Sequence, residues 1–74
     1  MKQETIVFCV VQRGYEDSLD IYANFGDALF DYNTRLAAIH DYIAEVIDQG
    51  ETHIVYYDKF GNIITLLISL QEVK

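Results

Sequence analysis

Cysteine and histidine are among the commonest nucleophiles and metal ligands in proteins, and this 74-residue chain has three of them: Cys9, His40 and His53. None of their pairs has the short spacing of a metal-ligand motif. Cys9 lies inside an apolar run, without the cationic neighbour or helix N-terminus that activates a thiol, so we expect it to pack as a small hydrophobic residue. These residues therefore predict a protein that is not an enzyme, with no catalytic residue, no metal and no cofactor.

The net charge points to a class of partner. Twelve acidic residues stand against five basic ones, which gives a formal charge of −7. Nucleic acid and anionic lipid both bind proteins through lysine and arginine, so this charge opposes direct contact with either. No apolar run approaches the roughly 20 residues that a membrane-spanning helix needs. The expected partner is a basic protein, with DNA-binding and nucleoid-associated proteins as the leading class, and neither nucleic acid nor a membrane.

The acids also form a pattern within one predicted helix. Between residues 27 and 49 the apolar side chains recur at steps of three and four, which predicts a long amphipathic helix ended by Gly50. On its opposite face Asp41, Glu45 and Asp48 would stand about 6 Å apart, a spacing comparable with that of phosphates along a nucleic-acid strand. The predicted partner-binding residues are the acids of this face and its flanks: Asp20, Asp27, Asp31, Asp41, Glu45, Asp48 and Glu51.

In its size, its charge and its two acid rows, Asp27/Asp31 and Asp41/Glu45/Asp48, the chain resembles the DNA-mimic and host-takeover inhibitors made by bacteriophages. Such inhibitors share no single fold, so the resemblance concerns these general features and assigns no residue a role. It implies a non-enzymatic inhibitor whose acidic surface occupies the basic groove of a DNA-binding protein and blocks its binding of nucleic acid.

Two other interpretations remain open at this point. The acidic row is also what an exposed helix face of any acidic protein would carry. The chain is alternatively an antitoxin-like or adaptor module that binds through a sheet edge or a tyrosine-rich face, because tyrosine is enriched in the cores of protein interfaces. That face would draw on five tyrosines: Tyr15, Tyr22, Tyr42, Tyr56 and Tyr57.

The elements that must position these residues form an α+β fold. β-branched and aromatic runs predict strands at 5–12, 19–25, 53–60 and 63–70, and the first and last are the most apolar, which favours them as inner strands. With the helix between the two hairpins, the predicted order is ββαββ in a single domain, residues 1–74. The expected structure is a four-stranded sheet with the long helix packed on one face.

Side-chain alternation and turn residues predict how these strands face and pair. In the second strand, Leu19 and Ile21 would lie on the buried side, with Asp20 and Tyr22 on the other. Gly61-Asn62 predicts a two-residue hairpin turn. That turn would pair Tyr57 with Leu66 and Val55 with Ile68.

The small size of the domain favours self-association. A chain of this length is close to zero net stability on its core alone, and one cysteine excludes an internal disulfide. A single helix covers only one face of the sheet, while the other face would expose apolar side chains that a second copy can bury. We therefore expect a homodimer, and the lone cysteine suits the reducing cytoplasm.

Overall fold

A computed structural model describes residues 5–73, with side chains described for residues 5–72. Within this range the chain has one α-helix and one five-stranded antiparallel sheet, which confirms the α+β class. The sheet order β2-β1-β5-β4-β3 places β1 and β5 inside the sheet, as predicted. The elements are β1 Thr5–Arg13, β2 Ser18–Tyr22, α1 Phe25–Ile39, a 3₁₀ turn at His40–Tyr42, β3 Ile43–Gln49, β4 His53–Asp58 and β5 Ile63–Val73.

The long helix predicted over residues 27–49 is wrong in its second half. Helix α1 ends at Ile39, and β3 follows as a fifth strand at the edge of the sheet, so the order is ββαβββ. Two bulges add residues to β3 relative to β4. A bulge makes residues three apart share a sheet face, and Ile43 and Val46 therefore repeat at a spacing that is also typical of a helix.

The predicted two-residue turn between the last two strands is also wrong, because the β4–β5 hairpin closes through the longer loop 59–62. The Asp58 carboxylate holds that loop, since its Oδ1 accepts the N–H groups of Phe60 and Asn62 at 2.9 and 2.8 Å. The register therefore differs from the predicted one. Tyr57 pairs with Ile63, and Val55 pairs with Thr65.

A register change of three residues turns β5 over relative to β4, and this determines the core. Ile64 and Leu66 now lie opposite Tyr56 and Ile54 on the face that α1 covers. The buried cluster between helix and sheet contains seven side chains: Val10, Ala28, Tyr32, Ile54, Tyr56, Ile64 and Leu66. The helix packs mainly against β1, β5 and β2, and the opposite face has no covering layer among the described residues.

Strand β2 presents the reverse of its predicted faces. Asp20 and Tyr22 pair with Val10 and Phe8, whose side chains point toward α1. Leu19 and Ile21 lie on the uncovered face and are 55% and 63% exposed. The predicted burial of these two residues is wrong. A contact between Arg35 on the helix and Asp20 on β2, described below, turns the polar face of β2 toward the helix.

No helix in the described range combines the length and the apolar character that a membrane crossing requires. The fifteen residues of α1 span about 22 Å at 1.5 Å per residue, which is shorter than the hydrocarbon core of a bilayer.

Gly14 lets the β1–β2 loop pack against the start of β5, and its replacement should be costly. Its φ of +110° is in a region that L side chains rarely adopt, and an added Cβ would collide with the Ile63 carbonyl oxygen. We expect Gly14→Ala to lower the free energy of unfolding by about 2 kcal/mol or more, measured by urea denaturation. Gly61→Ala is the control, because Gly61 has a φ of +87° but no atom near the added Cβ. Equal losses in the two variants would contradict the predicted collision.

Candidate interaction surfaces

Two of the predicted partner-binding acids, Asp20 and Asp31, are engaged by Arg35 within the fold. The Arg35 Nε donates to Asp31 Oδ1 at 3.0 Å, and its Nη2 contacts the Asp20 carboxylate on β2. The Tyr22 hydroxyl donates to the second oxygen of Asp31 at 2.6 Å. These contacts join the edge strand β2 to the helix, so the two carboxylates already have partners inside the molecule.

The contacts of Asp31 give the fold an acid-sensitive contribution. Burial raises the pKa of Asp31, but hydrogen bonds from Tyr22 and Arg35 outweigh it and hold that pKa below its ordinary value of 3.8. Because the lower pKa belongs to the folded state, the stabilisation is present above the ordinary value and is lost as the pH falls through the folded one.

We therefore expect the free energy of unfolding to decrease more steeply with acidification below about pH 4 in the parent than in Asp31→Asn. Tyr22→Phe, which removes one of the two donors to Asp31, should give an intermediate slope. Urea denaturation at a series of pH values measures these slopes, and parallel curves for all three proteins would show that the network does not link stability to pH.

A third predicted acid, Asp27, belongs to the start of the helix. Asn24 is the N-cap, and its Oδ1 accepts the Asp27 N–H at 2.9 Å. The Asp27 carboxylate in turn accepts the Asn24 side-chain amide at 2.9 Å. Asp27 therefore lies in the first turn of the helix, where a negative charge suits the helix dipole.

The remaining four predicted acids lie in consecutive segments at one edge of the sheet and not on a helix. The 3₁₀ turn contains Asp41, the edge strand β3 contains Glu45 and Asp48, and the turn after β3 contains Glu51. All four side chains are exposed. We call this set the acidic edge. It has no neighbouring base in sequence, because no lysine or arginine occurs between Arg35 and Lys59.

The bulges of β3 give the acidic edge a regular geometry. Glu45 lies opposite Tyr57 and Asp48 lies opposite Val55, so the two acids share one sheet face. Their partners are two residues apart on β4, which separates the acids by about 7 Å along the strand. His53 Nε2 lies 3.1 Å from the Asp48 carboxylate. Charges and bulges also protect a sheet edge from pairing with another strand, so these residues have a structural role as well.

The uncovered sheet face is a second candidate surface. Its middle is formed by side chains of β1, β2 and β5 that pair across the strands and carry no charge. Cys9 is buried there with a free thiol, between its pairing partners Ile21 and Ser69. We call this surface the open face and define it by six residues: Val7, Cys9, Val11, Leu19, Ile21 and Leu67.

A third surface is a cleft at the end of α1, with a volume of about 630 Å³. Tyr15, Tyr42 and Phe60 line it from three different loops and are 61%, 55% and 78% exposed. Tyr56 and Asp58 also line it. We call it the aromatic cleft.

The tyrosines proposed for a common face are divided by the fold. Tyr15, Tyr42 and Tyr56 meet in the aromatic cleft, whereas Tyr22 lies on the helix side of β2 and Tyr57 pairs on the opposite sheet face. Phe60, the most exposed ring of the cleft, was missed because the sequence places it inside a predicted strand. The signal that could have found it is Asp58 ahead of Gly61-Asn62, since an aspartate often closes a loop by accepting backbone N–H groups.

Among residues 5–72, no group of three or more histidine, cysteine, aspartate or glutamate side chains converges in a way that could hold a metal ion. Comparison with protein-family models, with curated proteins and with solved structures finds no match for this chain.

Proposed function

We propose that this protein is a non-enzymatic inhibitor that presents an acidic, DNA-mimic-like surface to a basic, DNA-binding protein and so blocks its binding of nucleic acid. The observation that carries the proposal is the acidic edge, in which two exposed acids on the edge strand β3 and one in each flanking turn occur without an intervening lysine or arginine. The predicted helical ridge is absent, and the proposal rests on this strand in its place.

The geometry of the acidic edge supports competition with nucleic acid. Glu45 and Asp48 project from one sheet face at about 7 Å, which is comparable with the direct distance between neighbouring phosphate groups of one nucleic-acid strand. Glu45 and Asp48 both pair with β4, on either side of a bulge at Ile47, so the spacing of their backbone positions is set before binding. A fixed row of like charges steers a basic groove toward this edge and then occupies its phosphate-binding side chains.

A homodimer through the open face completes the proposed assembly. The six residues of that face are apolar, and Leu19 and Ile21 are more than half exposed. A standard protein interface buries about 800 Å² of each partner. The whole surface of this chain is 5391 Å², so a dimer of standard size would bury about a seventh of it. A second copy suits the face because two identical apolar surfaces meet with no electrostatic penalty. Glu45 and Asp48 project from the same side of the sheet, but they lie on β3, two strands away from β5.

The alternative function, an adaptor or antitoxin-like module, is supported by the aromatic cleft. Its exposed rings would form the centre of an interface whose strength depends on apolar contact. The two functions differ in their response to salt, because binding through exposed charges weakens as the ionic strength rises and binding through tyrosines does not.

Affinity capture from a bacterial lysate tests the proposed function. Immobilised protein should retain basic DNA-binding proteins at about 50 mM salt and lose most of them at about 200 mM. Duplex DNA added at low salt should release the same proteins. Retention of neutral proteins that is insensitive to both salt and DNA would contradict the inhibitor and favour the adaptor.

A further inference from the structure

The aromatic cleft has the chemistry of a site for an organic cation. Three exposed aromatic side chains surround this one cleft, and a contiguous exposed apolar patch, unlike a single exposed ring, marks an interaction site. The face of an aromatic ring attracts a cation, most often the guanidinium group of arginine. Rings supplied by three separate loops can contact such a planar group from more than one side.

The charged groups of the cleft also favour a cation. Glu16 and Asp58 are the charged residues that line it, and the lining contains neither lysine nor arginine. Asp58 keeps its negative charge because its oxygens accept three hydrogen bonds, two from backbone N–H groups and one from the Asn62 side chain at 3.2 Å. The cleft therefore combines aromatic faces with negative charge and lacks an internal cation that would neutralise it.

Each of the three rings stands on backbone that is held by a hydrogen bond. The Gln12 side-chain amide donates to the Tyr15 carbonyl at 3.1 Å, and the Lys59 N–H donates to the Tyr42 carbonyl at 3.0 Å. The Phe60 N–H donates to Asp58 at 2.9 Å. Because these loops are positioned before any ligand arrives, less conformational entropy is lost when a ligand binds.

We infer that the aromatic cleft binds the guanidinium group of an arginine side chain presented by the basic partner. The inference rests on the proposed function, because the basic partner is the source of that arginine. It also identifies a specific contact that the partner would make and a simple polycation would not. Asp41 immediately precedes Tyr42, so the acidic edge begins at the cleft. A groove rich in arginine could therefore contact the acidic edge and place one side chain between the rings.

Titration of the isotope-labelled full chain with N-acetyl-arginine amide tests this site without a protein partner. Backbone amide signals of Tyr15, Tyr42 and Phe60 should move together and saturate at a millimolar ligand concentration. N-acetyl-citrulline amide has nearly the same shape without the charge, and it should bind about tenfold more weakly. Equal binding of the two ligands, or shifts confined to β3, would overturn the inference.

A matched pair of variants locates the contact. Phe60→Ser should weaken arginine binding about fivefold, whereas Phe30→Ser should leave it unchanged, since Phe30 is 76% exposed and lies on α1 away from the cleft. The amide spectrum of each variant shows whether it remains folded. Unchanged binding in folded Phe60→Ser would overturn the site. Failure of the lysate capture alone would contradict the proposed function, whereas failure of this titration alone would contradict the cleft.

Discussion

Replacement of Asp41, Glu45 and Asp48 by lysine should abolish capture of the basic partner at low salt. The three changes move the local charge by six units along an exposed edge, and lysine is well tolerated at sheet edges. Because exposed charges act mainly through electrostatic steering, we expect the association rate to fall by about tenfold or more and the salt dependence to become flatter. Surface binding kinetics at several salt concentrations, with the captured partner as ligand, would measure both effects.

The control for this experiment makes the same change of charge at a position outside the acidic edge. Glu45→Lys and Glu72→Lys each add two units, and both residues are exposed on strands, one on β3 and the other near the end of β5. Glu45→Lys should weaken binding, while Glu72→Lys should have little effect because it lies outside the acidic edge. If both single variants, or the triple variant, bind as tightly as the parent, the acidic edge only protects the sheet, and the adaptor becomes the better account.

The second large effect concerns assembly, where Leu67→Glu should convert a dimer to a monomer. Leu67 lies in the middle of the open face, opposite Val11 on β1. A carboxylate at this position would be buried without a counter-charge in a dimer but remains in water in a monomer, so the substitution penalises only the dimer. Sedimentation at micromolar concentration should give about twice the chain mass of 8.6 kDa for the parent and about that mass for the variant.

Two further variants make the assembly result specific to the open face. Val7→Glu should also dissociate the dimer, since Val7 belongs to the same face and pairs with Gln71 on β5. Phe30→Glu introduces the same charge on the outer side of α1 and should leave the dimer intact. A parent protein that sediments as a monomer at hundreds of micromolar would contradict the proposed dimer directly.

Local sequence patterns were sufficient for several features of this protein. The apolar runs of β1 and β5 identify the inner strands because both faces of an inner strand can be covered. The apolar surroundings of Cys9 predict its burial, which the structure confirms. The start of the helix is predicted two residues late, because α1 begins at Phe25 after its N-cap Asn24, and the alternation of residues 19–25 assigns both of these residues to the preceding strand.

Residues 43–49 show what the local pattern could not decide. Apolar residues three apart suit a helix, and they equally suit a strand with bulges. Pairing with β4 selects the strand, since it supplies β3 with backbone hydrogen bonds and places Ile43 and Val46 on the helix-covered side of the sheet. The candidate site changes with that choice, because the same acids lie along a sheet edge instead of a helix.

Two contacts between distant residues decide the remaining features. Arg35 on the helix draws Asp20 inward and leaves Leu19 and Ile21 on the open face. Asp58 closes the loop after β4, and the resulting register determines which side of β5 enters the core. Net charge and burial tendency are properties of the sequence and its short segments, and both can be predicted from the sequence alone. Strand register and the facing of an edge strand depend on tertiary contacts, because the local alternatives differ little in energy until a distant side chain stabilises one of them.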